Sequence, residues 1–194
     1  MSKALLILDL QNDICHPEGV YHKNGLIAPQ IASILPPIIQ TIEFCHQVHL
    51  PVISLQSTVF LDLKKLPSIS NLLHSRAFLE KEGLREGTWG HDLLDTLPHA
   101  DYMVRKWSVS IFHQSELEAY LNFLKVQELV LVGFTTNGVV ETAAREALGK
   151  HYTVTVLADC VTSYSEALHL ASLTNISSFG KLLSSNEWKQ LLLE

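Results

Sequence analysis

Apolar residues along this chain come in short continuous runs. Ala4-Leu5-Leu6-Ile7-Leu8, Pro51-Val52-Ile53-Ser54-Leu55, Tyr102-Met103-Val104, Leu129-Val130-Leu131-Val132 and Thr153-Val154-Thr155-Val156-Leu157 each read as a strand, and a short sixth falls near Leu182. A strand with one wet face alternates, whereas a run apolar at every position is buried on both faces, as in a parallel sheet. Segments of helical spacing lie between the runs. Pro36 and Pro37 suit the first turn of a helix reaching about Val48. Ser115–Glu118 reads as a capping box for a helix to Val126, and Ser163–Glu166 as another for a helix to Phe179. Further helices are expected over 138–148 and after Asn186. Residues 58–90 are irregular but not biased to Gly and Ser, which predicts an ordered excursion, with Thr88-Trp89-Gly90 opening a short helix to Leu97. Strands alternating with helices predict a three-layer α/β/α sandwich around a parallel, Rossmann-like sheet, one domain over 1–194.

Composition narrows the class. The 194 residues are 47% hydrophobic and 18% charged, with a net charge of −6 and no basic run. Nucleic acid needs clustered Lys and Arg, so no nucleic-acid partner is expected. No run approaches the length of a membrane span and the first ten residues lack signal-peptide grammar, so no membrane partner and a cytoplasmic location are expected. Cys15, Cys45 and Cys160 are too few and too scattered for a disulfide framework or a zinc site.

Three strand ends carry polar chemistry: Asp9 after the first, Lys106 after the third, and the turn Gly133-Phe134-Thr135-Thr136-Asn137 after the fourth. Ligands of open α/β sheets bind at such ends, and a carboxylate beside a lysine makes an acid/base pair. Each residue also has a plainer reading. An Asp after a strand is usually a turn former, a Lys there a solvated charge, and a Gly-Thr-Asn turn a helix start. Trp89, Trp107 and Phe112 are candidate pocket walls that also suit a core.

Four spaced motifs carry a resemblance. They are Leu8-Asp9-Leu10-Gln11-Asn12-Asp13; Gly87-Thr88-Trp89-Gly90; Val104-Arg105-Lys106 with Ser110-Ile111-Phe112; and Gly133–Asn137 with Val140-Glu141-Thr142-Ala143-Ala144-Arg145. Asp159, Ser163 and His169 match a tail pattern. Together they resemble the isochorismatase-like, or cysteine hydrolase, superfamily. The resemblance implies that Asp9 is the acid/base and Lys106 its electrostatic support, with a non-proline cis peptide between Phe134 and Thr135. It further implies an oxyanion hole at the Thr135 and Val139 amides, and a nucleophilic cysteine at position 139. This chain has Val139 there, so the thioester route is closed. Gln11 and Asn137, inside the matching motifs, are the remaining candidates for substrate contact, with Trp89 and Trp107.

The metal ligands of the nicotinamidase branch are absent after the second strand, which reads Gln56-Ser57-Thr58-Val59-Phe60-Leu61-Asp62. His16, His22 and His74 are scattered, so neither metal nor cofactor is expected. True isochorismatases also lack the cysteine, keep the Asp and Lys, and hydrolyse a vinyl ether. The resemblance therefore implies a hydrolase of a small molecule working without a thiol, in a homo-oligomer. A catalytically silent binding protein of the same fold is the alternative. A nucleotide-binding domain is disfavoured, since neither GxGxxG nor GxxxxGK[ST] occurs.

Overall fold

The computed structural model of the chain describes residues 2–194, the side chain of Asn71 apart. Its main sheet joins β1 (Lys3–Leu8), β2 (Val52–Ser57), β5 (Tyr102–Lys106), β6 (Glu128–Phe134), β7 (Thr153–Thr162) and β8 (Lys181–Leu183), all parallel, in the order β5-β2-β1-β6-β7-β8. Alternate side chains of each strand feed two cores. Ala4, Leu6, Leu8, Leu129 and Leu131 pack with α4 (Leu117–Phe123), α5 (Glu141–Gly149) and α6 (Glu166–Ser177). Leu5, Ile7, Val130 and Val132 pack with α3 (Ile31–Gln47) and α7 (Ser185–Leu193). Burial on both faces is why the strands read as unbroken apolar runs, and the result is the expected three layers.

Chain order reverses beside β1. The chain runs from β1 outward to β2 and β5, then returns to pair β6 on the other side of β1. The carboxyl ends of β1 and β6 therefore flank a topological switch point, where an open sheet leaves a crevice.

Several elements depart from expectation, each for a physical reason. Helix α3 opens at Ile31, so Pro36 and Pro37 lie inside it. Ile31, Ile34, Ile38 and Ile42 are buried on one stripe, and this apolar contact offsets the missing backbone donors. No helix forms over 88–97. The Trp89, Gly90 and Asp92 carbonyls instead accept from the Asn12 side chain, Asp13 N–H and Asn12 N–H, so the excursion's backbone is tied to the first loop. The Ser115 capping box does not form, because its hydroxyl donates to the Ile111 carbonyl at 2.6 Å and the helix begins at Leu117. Ser165, not Ser163, caps α6. A capping box not anticipated, Ser184 with Glu187, opens α7. β7 continues past Leu157 to Thr162 with a register shift opposite Gly133. Within 58–90 lie the antiparallel pair β3 (Phe60–Leu61) and β4 (Pro67–Ile69) and two 3₁₀ turns, Asn71–His74 and Ala77–Glu80. The first loop holds the short helices α1 (Asn12–Cys15) and α2 (Val20–Lys23).

Candidate active site

Parallel registry brings β1, β2 and β5 to a common level, and three polar residues meet at their carboxyl ends. Ser57 pairs with Lys106 across β2 and β5, and Asp9 follows β1 directly. Asp9 turns out of the strand with φ of 55°, a left-handed conformation that Asp tolerates better than most residues. Lys106 Nζ donates to Asp9 Oδ2 at 2.9 Å, to Ser57 Oγ at 2.9 Å and to the Ser108 carbonyl at 3.3 Å. Asp9 Oδ1 accepts from Ser57 N–H at 3.2 Å and from Ser57 O–H at 2.9 Å. The ammonium is 1% exposed and Asp9 is 8% exposed, so the pair is held away from bulk water. A buried ion pair persists only when hydrogen bonds satisfy its remaining valences, and Ser57 does this for both partners.

On the other side of the switch point, β6 runs into the Phe134–Thr135 peptide, which is cis as the resemblance implied. A π-helical turn, Thr136–Val140, leads into α5. Its shape is held from the tail of the chain. Ser163 donates to Asn137 Oδ1, and Thr136 Oγ1 lies 2.8 Å from His169 Nδ1. Burial lowers the His169 pKa from its ordinary value. Asp159 takes no part here and accepts from Ser185 N–H and O–H at the start of α7.

A cavity of about 140 Å³ lies above these strand ends. Asp9, Ser57, Lys106, Thr135, Gly138 and Val139 line it together. The structure thus unites Asp9, Lys106, Thr135 and Val139, from three separate motifs. Val139 stands where the resemblance places a thiol, and it is 4% exposed.

Other expected contacts are absent from the cavity. Gln11 is fully buried, with its amide donating to the Ser57 and His91 carbonyls, so it braces the loop behind Asp9. Asn137 is exposed and bound to Ser163. Trp89 donates to the Asp95 carboxylate and stacks edge-on against His16, and Trp107 lies edge-on to His113. Lys106 points at Asp9, and the alternation of a strand turns its neighbour Trp107 elsewhere. Phe112 is buried in the core against Tyr152. Cys15 is no substitute nucleophile. Its thiol faces the Asp9 carbonyl at 3.7 Å, and burial pushes its pKa up, which disfavours the thiolate.

The residue reading missed Ser57, Tyr21, Arg76 and Tyr164, all of which line the cavity. Ser57 had a signal, being the strand-end residue between Asp9 and Lys106 in a parallel sheet. The others come from the first loop, the excursion and the segment after β7, whose positions no periodicity announces. Among the described residues, one histidine–carboxylate group is spaced to hold a metal ion: His46, His99 and Asp101. It lies at the amino ends of β2 and β5, the opposite end of the sheet from Asp9.

With this geometry in place, the family follows from one match: the isochorismatase domain model covers residues 3–187. The chain belongs to the isochorismatase family. Among similar members is Nicotinamidase 3 of Arabidopsis thaliana, 27% identical and covering 98% of this chain and 88% of that protein. A probable inactive nicotinamidase of the same plant is also 27% identical, covering 97% and 95%. Among solved structures, an isochorismatase-like hydrolase from Alkaliphilus metalliredigens superimposes with a TM-score of 0.79 at 25% identity, covering 98% of each chain. Isochorismatase-family hydrolases act on small molecules, and no helix among the described residues is long and apolar enough to cross a membrane.

Proposed function

We propose that this isochorismatase-family protein hydrolyses a small molecule by acid–base catalysis at Asp9 and Lys106, without a covalent enzyme intermediate. The observation that carries this reading is the buried Lys106–Asp9–Ser57 cluster opening onto a cavity that Val139, a side chain with no nucleophile, also lines. A vinyl ether fits this equipment. Lys106 passes a proton to Asp9 across their 2.9 Å hydrogen bond, and Asp9 delivers it to the terminal carbon of the enol ether. Water adds to the resulting oxocarbenium carbon and returns a proton to the pair. The hemiketal then collapses to a ketone and an alcohol. In this reading, which the resemblance supports, the Thr135 and Val139 amides donate to the alcohol oxygen that gains negative charge as the hemiketal collapses. Incubation with isochorismate is expected to release pyruvate, and Asp9→Ala to abolish it. Release no faster than in the Asp9→Ala control would exclude this form of the proposal.

A second reading rests on the same valine. With the nucleophile gone and both Asp9 oxygens occupied by protein donors, the chain binds a small molecule without turning it over. The relative named as a probable inactive nicotinamidase supports it. Turnover of any substrate that is lost in both Asp9→Ala and Lys106→Ala would rule it out.

A further inference from the structure

The end of the sheet opposite Asp9 carries side chains that the hydrolase reading does not use. His46 lies in the last turn of α3. Asp101 immediately precedes β5, and His99 stands two residues before Asp101. One ligating atom from each of the three comes within 4.8 Å of the other two. His49 lines the same open cleft, and no described lysine or arginine does. The Asp101 carboxylate therefore meets imidazoles there, with no permanently charged side chain to claim it.

Asp101 is fixed by β2. Its N–H donates to the Val52 carbonyl at 2.9 Å, and its Oδ2 accepts from Val52 N–H at 2.9 Å. Its Oδ1 faces His46 Nε2 at 3.9 Å, too far for a hydrogen bond. His46 Nε2 is buried and has no hydrogen-bond partner among the described residues. Buried polar atoms are nearly always satisfied, so this nitrogen lacks a ligand. A carboxylate anchored through one oxygen with the other turned to imidazoles is the arrangement of a metal-binding carboxylate, whose outer partner sets its orientation.

Donor type selects the ion. Two imidazoles and a carboxylate suit zinc and its divalent transition-metal neighbours, whereas magnesium and calcium take oxygen donors. Tetrahedral zinc keeps its ligand atoms about 3.3 Å apart, so the set closes by about 1.5 Å at its widest. The His46 and His99 rings stack with centroids 4.6 Å apart and planes at 21°. An ion bound by both lies near the plane of each ring, so binding turns the exposed His99 out of the stack. The carboxyl end of α3 adds partial negative charge beside the site.

We infer that His46, His99 and Asp101 bind one zinc-class divalent ion, its remaining position open to water, and that the ion staples the carboxyl end of α3 to the amino end of β5. β5 is an edge strand, paired on one side only, and Lys106 ends it. The staple therefore anchors the strand that delivers Lys106. An ion that binds the folded chain and not the unfolded one stabilises it by mass action. The inference stands whether or not Asp9 performs chemistry.

Zinc chloride titrated calorimetrically into the untagged, chelator-treated full chain tests this. One ion per chain is expected to bind with a Kd of about 10 μM or tighter, and zinc at a hundredfold excess over Kd to raise Tm by about 5 °C. His99→Gln and Asp101→Asn are each expected to weaken binding at least about tenfold and to abolish the Tm rise at that zinc concentration. Asparagine keeps an oxygen for Val52 N–H, so the strand contact survives the second change. No zinc bound below about 1 mM would overturn the site, as would undiminished binding in both variants. Binding at these residues without a rise in Tm would overturn the staple. An equal effect of magnesium chloride would overturn the assignment to a nitrogen-ligated ion.

Discussion

Position 139 shows how one side chain separates a fold from a reaction. Val139 sits in the cavity with Asp9 and Lys106, in a turn held by Ser163, His169 and Thr136. On the proposed reading, a hydrocarbon stands there in the place of a nucleophile. Val139→Cys is expected to introduce a thiol that iodoacetamide alkylates and that confers slow release of ammonia from small amides. Ammonia release indistinguishable from the unaltered chain would show that more than the thiol has been lost. Asp9 and Lys106 were legible in the sequence as residues at strand ends, and Val139 through the resemblance alone. The sequence did not identify Arg76 or Tyr164, since an arginine in an irregular segment looks like any solvated charge until burial is known.

At the level of elements, motifs that read as chemistry serve mostly as joinery. Of Asp9, Gln11, Asn12 and Asp13, only Asp9 reaches the cavity. Asn12 binds the Trp89 carbonyl and Asp95, and Asp13 accepts from Val20 N–H at 3.3 Å and Leu84 N–H at 2.6 Å. A Cβ at Gly90 would lie 2.3 Å from the Asp13 carboxylate, so the Gly-Thr-Trp-Gly motif is matched to that aspartate. Gly133 has the same character in the central sheet. Its φ is +131°, and a Cβ there would stand 2.2 Å from the Leu8 carbonyl oxygen. Gly133→Ala is expected to destabilise the fold by at least about 3 kcal/mol, read from the urea midpoint, because both backbone conformation and strand contact are violated. Helix boundaries were the least legible feature. Ser115 and Ser163 had the right spacing for caps, but nearer partners claimed both hydroxyls.

For the whole molecule, two properties follow from packing. His91 is 1% exposed beside Thr58, and burial lowers its pKa from 6.5. As pH falls through about 6.5 the unfolded chain takes up this proton before the folded one, so stability falls with it and is unaffected by this group at higher pH. Glu128, Glu141 and Glu187, whose pKa values are also lowered, act only in a more acidic window. The urea midpoint is expected to drop between about pH 7.5 and about pH 5.2, and to drop less in His91→Gln. The second property concerns assembly. Leu61, Leu63, Leu66 and Ile69, on and beside the β3–β4 pair, are exposed. Exposed apolar residues of this kind mark contact surfaces, and the homo-oligomer that the resemblance implies is tested there. Light scattering is expected to report a multiple of 21.7 kDa, and Leu63→Lys with Leu66→Lys to lower it.

What the sequence determined by itself was the layer architecture, the order of its main-sheet strands along the chain, and the placing of Asp9, Lys106 and the Gly133–Asn137 turn at strand ends. These are local facts: an apolar run is buried wherever the chain goes, and a motif keeps its spacing. What only the tertiary structure decided was which loop residues share the cavity. Ser57 closes the Asp9–Lys106 pair, while Tyr21, Arg76 and Tyr164 arrive from three separate segments. Their meeting depends on the path of irregular backbone, which is set by long-range hydrogen bonds such as those of Asn12 and Asp13. No periodicity along the chain records those bonds.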